Sequence, residues 1–269
     1  MYITENNPAD NYPDLKQSWT LFGVFLLLKI FFSLLVGVLQ KQIPGFSASH
    51  AMEWAKLGMY IFPFIITFWF AKLTSLSPKF DYGLVLKKFP GWFILVLLII
   101  TPAMAIVVNQ VVSFIPMPEE VEKMFAEMVS ITLPSFLSAV IAAPILEELL
   151  CRGIILRGLL KNLPPYHAIL WSALIFSIMH LNIWQGVTAL IVGFISGWIF
   201  WKTKSIIPSI LLHFFNNAFA FILLYTANDP SETIDDTMGG SYITILIVSL
   251  VIFGGGLFFI YKKLNSISE

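Results

Sequence analysis

The chain has 269 residues, of which 58% are hydrophobic and only 12% are charged, and its mean hydropathy is +0.83. Soluble domains have a much more polar composition, so the sequence predicts a polytopic membrane protein. Basic and acidic residues number 16 each, and this balance predicts no binding to nucleic acid. The single cysteine, Cys151, excludes an internal disulfide and any C-x-x-C metal or redox pair.

Eight apolar segments approach the length of about 20 residues that a membrane-spanning helix needs. In chain order they cover residues 19–39, 57–73, 92–115, 134–159, 168–181, 186–201, 206–225 and 242–261. Pro164 and Pro165 separate the fourth segment from the fifth, because a helix cannot continue through them. The acidic segment 117–128 has apolar residues at helical spacing and is predicted to be an amphipathic surface helix. We expect one all-α integral membrane domain covering residues 1–269.

The distribution of lysine and arginine among the loops predicts the orientation. If the N-terminus is cytoplasmic, eleven of the 16 basic residues lie on the inner side, three lie on the outer side and two lie within spans. The first 17 residues are polar, and the apolar run after them is too long for a signal peptide. We therefore expect a protein of the plasma or inner membrane with both termini in the cytoplasm.

The fourth span contains three charged residues, Glu147, Glu148 and Arg152. A charge in the middle of a membrane costs about 2.5–3.5 kcal/mol on insertion scales and therefore indicates a functional site or a partner. Glu148 and Arg152 are four residues apart on one helix face, in the favourable order for an ion pair. Glu147 is left as the unpaired carboxyl, and such a group suits a general base. A purely structural polar network remains the alternative.

Two of the four histidines lie in predicted spans, namely His180 and His213. His213 and Asn217 are four residues apart and share a helix face. Buried histidines and asparagines also hold transmembrane helices together without a chemical role. Their combination with the Glu-Glu-Arg set favours a catalytic site over that alternative.

Together these residues resemble the motifs of the CPBP family of intramembrane proteases, which includes type 2 CAAX prenyl proteases and bacteriocin-processing or abortive-infection proteins. The motifs E-E-x-x-x-R, F-x-x-x-H and H-x-x-x-N are matched in order by Glu147, Glu148, Arg152, Phe176, His180, His213 and Asn217. The motif-bearing core covers residues 134–226, whereas the first three spans match no motif. The resemblance gives Phe176 a supporting role and implies that Glu148 and Arg152 orient the first motif or bind a carboxylate of the substrate.

The resemblance implies about eight helices around an intramembrane active-site cavity, in which a peptide bond of a membrane-embedded or lipid-anchored substrate is hydrolysed. Glu147 and His180 would hold and deprotonate a water molecule, and His213 and Asn217 would stabilise the oxyanion. The family is classed with the metalloendopeptidases, although a glutamate mechanism without metal also has support within it. Zinc is possible, with Glu147, His180 and His213 as ligands. No H-E-x-x-H motif is present, so we expect no tightly bound metal.

Two other functions compete with a protease. A catalytically silent protein of the same fold could act as a membrane scaffold or as an immunity protein against a bacteriocin. Every motif residue is present, so the motifs do not favour this alternative. A proton-coupled transporter could use the glutamates and histidines as a relay, but it would be expected to show paired repeats with broken helices, and no convincing repeat is visible.

Overall fold

The computed structural model describes residues 11–43, 45, 50–75, 80, 82, 86–121, 131–226 and 241–267. In these ranges every regular element is helical and no strand occurs, which confirms the all-α prediction. The surface helix predicted at 117–128 lies for the most part outside the described residues.

The helices follow the order of the eight predicted spans, and we number them α1 to α8. They are α1 Leu15–Gln42, α2 His50–Ser75, α3 Trp92–Ser113, α4 at 133–162, α5 Pro165–Ile178, α6 Ile183–Thr203, α7 Ile207–Thr226 and α8 Tyr242–Ile267. Two π-helical segments, Leu137–Ala142 and Leu149–Leu156, alternate within α4 with the α-helical segments Leu133–Phe136, Ala143–Glu148 and Arg157–Asn162.

Six helices in the described part of the chain (α1, α2, α3, α6, α7 and α8) are long and apolar enough to cross a membrane. The protein is therefore an integral membrane protein. Helix α5 has 14 residues. At 1.5 Å per residue it rises about 21 Å, less than the roughly 30 Å of a bilayer core. The two irregular helices, α4 and α5, carry the first two motifs.

The fifth span ends earlier than the sequence predicts, which places His180 in a turn and not on a helix. Helix α5 ends at Ile178, and Leu181 adopts a left-handed backbone with φ of 59°. Asn182 then caps α6, and its side-chain amide donates to the carbonyl of His180 at 3.0 Å. The residues around this turn are largely apolar, so hydropathy alone predicts that the helix continues through it.

Helix α6 approaches α4 and α5 closely at two glycines. A Cβ atom added at Gly193 would lie 3.0 Å from Phe176 and 3.2 Å from Arg152, and one at Gly197 would lie 3.1 Å from Ile169. Small residues four apart allow this close packing of membrane helices. The approach brings the α6 backbone within reach of the charged residues of α4.

Candidate active site

A fully buried ion pair lies at the centre of the motif-bearing core. Arg152 Nη1 is 3.1 Å from Glu148 Oε1, and both side chains are 0% exposed. Ser196 of α6 donates to Glu148 Oε2 at 2.8 Å, and His213 Nδ1 of α7 is 3.3 Å from Glu148 Oε1. The pair predicted from the i,i+4 spacing is therefore present, and it joins α4 to α6 and α7.

Arg152 has further partners besides Glu148. Its Nη2 donates to the carbonyl of Gly193 at 2.8 Å, and its guanidinium carbon lies 4.5 Å from the centroid of the Phe176 ring. The Phe176 ring also meets the rings of His180 and His213 edge to face, at 5.2 and 5.5 Å between centroids. Because Arg152 is completely enclosed, the arrangement supports a role in orienting the motif and gives a substrate carboxylate no access to it.

Glu147, unlike Glu148, is partly accessible, with 12% of its side chain exposed. The hydroxyl of Tyr60 on α2 donates to Glu147 Oε1 at 2.7 Å. Within the described residues Glu147 Oε2 has no hydrogen-bond partner, and His213 Nε2 lies 3.9 Å away. One carboxylate oxygen is thus held in place, and the other is buried without a hydrogen bond.

The contacts of the two histidines indicate where their protons lie. His213 Nδ1 faces a carboxylate oxygen, which can only accept, so Nδ1 carries a hydrogen and the neutral ring has a lone pair at Nε2. His180 Nδ1 is 2.9 Å from the carbonyl oxygen of Phe176, so it also donates and leaves a lone pair at Nε2. Each histidine therefore presents Nε2 as the nitrogen with free bonding capacity.

The side chain of Asn217 is oriented by an irregularity in α4. Pro144 has no N–H, and the N–H of Ala143 donates to Ser138, so the carbonyl of Ala139 lacks its usual helical donors. Asn217 Nδ2 donates to this carbonyl at 2.8 Å, and Asn216 donates to Asn217 Oδ1 at 3.2 Å. An amide NH2 group has two hydrogens, so Asn217 keeps one for another acceptor.

One cavity of about 400 Å³ brings most of the predicted residues together. Its lining includes Glu147, Phe176, His180, His213 and Asn217. Glu148 and Arg152 do not line it and lie behind it in the protein. The three motifs, which are separated by up to 70 positions in the chain, thus contribute to one site.

Tyr60 is the residue of this site that the sequence motifs did not reveal. It belongs to a helix without any motif, and its contact with Glu147 joins residues 87 positions apart. One signal was present in the sequence. Tyrosines in membrane helices concentrate at the membrane interfaces, whereas Tyr60 lies near the middle of α2.

The residues do not form a metal site of the expected kind. Within the described residues, no group of three or more His, Cys, Asp or Glu side chains is placed to hold a metal ion. The predicted ligand set of Glu147, His180 and His213 therefore does not fit zinc in this arrangement, and no step below is assigned to a metal.

Comparison with protein families gives one match. Residues 129–219 match the family described as type II CAAX prenyl endopeptidase Rce1-like. This segment, about a third of the chain, is similar to that family. It contains all three motifs and nearly all of the predicted core at 134–226, and it supports the predicted relationship to CAAX-type proteases. No curated protein and no solved structure matches the chain significantly.

The buried ion pair of the matched segment should contribute strongly to the stability of the protein. Glu148→Gln leaves a buried Arg152 without a counter-charge, and breaking such a pair typically costs about 3–5 kcal/mol. We expect a clear fall in the melting temperature of the protein in detergent. The double variant Glu148→Gln with Arg152→Met, which removes both charges, should recover part of the loss.

The matched control is Lys56→Gln, which breaks the solvent-exposed Lys56–Glu53 pair. Exposed pairs contribute about 1 kcal/mol or less, so this variant should melt close to the wild type. A Glu148→Gln protein as stable as Lys56→Gln would show that the buried pair does not support the fold.

Proposed function

We propose that the protein is an intramembrane endopeptidase that hydrolyses a peptide bond of a membrane-embedded or lipid-anchored peptide. The observation that carries this proposal is the environment of Glu147. Glu147 lines a cavity that also holds two histidines and an asparagine, and its oxygen Oε2 has no hydrogen-bond partner among the described residues. A carboxylate with one oxygen held by a hydrogen bond and the other unpaired is suited to take a proton from a water molecule that enters the cavity.

In the first step, a water molecule in the cavity is held between Glu147 Oε2 and His180 Nε2, both of which can accept a hydrogen bond. Glu147 Oε2 takes a proton from the water as the water oxygen attacks the carbonyl carbon of the scissile bond. The π electrons of the carbonyl move to its oxygen and produce a tetrahedral oxyanion.

The oxyanion needs donors that are already in position. The second hydrogen of Asn217 Nδ2 is one such donor. His213 donates from Nε2 only when that nitrogen also carries a proton. Collapse of the intermediate breaks the C–N bond, and the proton held by Glu147 passes to the leaving amine.

We also propose the orientation that the charge distribution predicts. Both termini would lie in the cytoplasm and the protein would reside in the plasma or inner membrane, because eleven basic residues fall on one side and three on the other.

Glu147→Gln tests the proposed function most simply. The glutamine keeps the size of the side chain and can still accept from Tyr60, but it cannot take a proton. We expect the protein to fold and melt normally and to lose at least about a hundredfold in cleavage rate, since a positioned general base contributes about 10²–10⁴. The assay is cleavage, by purified protein in liposomes, of a panel of quenched fluorescent peptides with transmembrane or lipid anchors.

Glu120→Gln provides the control, because it makes the same chemical change at an exposed position. Equal activity of Glu147→Gln and wild type would show that Glu147 is not the base. Wild-type protein that cleaves no peptide of the panel would count against the protease function itself and favour the scaffold or transporter alternatives.

Asn217→Ala tests the oxyanion role. Removing one preorganised donor typically lowers the rate about 10²–10³-fold, so turnover should fall by that factor with little change in KM. Asn162→Ala, which removes an amide that donates to the Asn11 and Gly158 carbonyls away from the cavity, is the control.

Elemental analysis of the active wild type should show far less than one equivalent of zinc. Stoichiometric zinc that is lost and regained together with activity would contradict the metal-free mechanism.

A further inference from the structure

Helices α1 and α2 contain no motif and lie outside the matched residues 129–219, yet each places one polar side chain against Glu147 or against the residue before His180. Tyr60 of α2 donates to Glu147, and Lys29 of α1 donates through Nζ to the carbonyl of Met179 at 2.9 Å, directly before His180. We propose that Tyr60 and Lys29 are positioning residues that hold Glu147 and His180 in the geometry needed to activate water. This inference rests on the proposed protease function.

Tyr60 selects which oxygen of Glu147 is free to react. A glutamate side chain can rotate and exchange its two oxygens. The 2.7 Å bond from Tyr60 holds Oε1 and leaves Oε2 on the side of His213 and the cavity. The Tyr60 ring is itself packed against Phe64, with 5.5 Å between ring centroids, so the hydroxyl is presented from a supported position.

Lys29 stabilises the turn that carries His180. Met179 caps the C-terminal end of α5, where a positive charge interacts favourably with the exposed carbonyls. The next residues include Leu181 with φ of 59°, a conformation that non-glycine residues seldom adopt. An ammonium group bound to the Met179 carbonyl holds this unfavourable turn, and with it His180, in place.

The polar contact of Lys29 supports this role. A charged residue within a membrane span usually has a charge partner. In the described ranges Lys29 forms no ion pair at contact distance, and its Nζ donates to the Met179 carbonyl. It also lines a second cavity of about 480 Å³ together with Tyr60 and Lys56, on the α1–α2 side of Glu147. Lys56 faces this cavity too, but it is bound to Glu53 and does not contact the catalytic pair.

The test compares two variants with two matched controls. Tyr60→Phe keeps the ring and removes the hydroxyl, and Lys29→Met keeps the chain length and removes the ammonium. Tyr12→Phe removes a phenol that bonds to Thr74 away from the site, and Lys56→Met removes the neighbouring lysine of the same cavity. All four are assayed in liposomes with the best-cleaved peptide of the panel, alongside melting temperatures.

We expect kcat to fall about 10- to 100-fold in Tyr60→Phe and in Lys29→Met, the range that a hydrogen bond involving a charged group provides. KM should stay within about threefold, because neither residue is assigned a contact with substrate, and both controls should stay within about twofold of wild type. Lys29→Arg should regain part of the activity, since a guanidinium can also donate to the Met179 carbonyl.

Three results would contradict the inference. Wild-type kcat in both variants, with Glu147→Gln inactive, would overturn the positioning role and leave the protease function intact. A change confined to KM would show substrate binding in place of positioning. Absence of cleavage by the wild type would overturn the proposed function and this inference with it. If Lys29→Met does not fold, Tyr60→Phe, which preserves the packing, decides the outcome.

Discussion

The buried contact between Glu148 and Arg152 is the interaction on which the rest of the site depends. Two charges buried inside a membrane domain are costly unless they are paired and hydrogen-bonded. Ser196 and His213 contact the Glu148 carboxylate and the Gly193 carbonyl accepts from Arg152 Nη2, whereas Arg152 Nε has no hydrogen-bond partner among the described residues. These contacts connect α4 to α6 and α7. Glu147, the preceding residue in the chain, lines the cavity.

The reactive groups of the site are positioned by irregular backbone. Pro144 and the first π segment free the Ala139 carbonyl that orients Asn217, and the short α5 ends where His180 can enter the cavity. A regular helix has no spare carbonyls, and a full-length span would carry His180 on its outer surface or in its packing interface. Irregular backbone inside a membrane is tolerated where it is buried or lines a cavity. The second π segment is largely buried, Ser138 and Ala139 of the first line the 480 Å³ cavity, and His180 lines the other cavity.

The sequence predicted those features that depend on local spacing or composition. Hydropathy located eight helices, and the i,i+4 rule located the Glu148–Arg152 pair. It did not predict the features that depend on contacts between distant parts of the chain. Because the residues around His180 are apolar, hydropathy did not reveal the end of α5. The contacts of Lys29 and Tyr60 join residues 150 and 87 positions apart, and no local sequence pattern predicts them.

In the proposed mechanism Glu147 activates a water molecule and does not itself attack the peptide bond. Rapid-quench cleavage with enzyme in excess, followed by mass spectrometry of substrate fragments and enzyme, tests this most directly. Direct attack by water predicts that both fragments appear at the same rate and that the mass of the enzyme does not change. Early release of the amine fragment alone, with the acyl fragment attached to the enzyme peptide containing Glu147, would contradict the account.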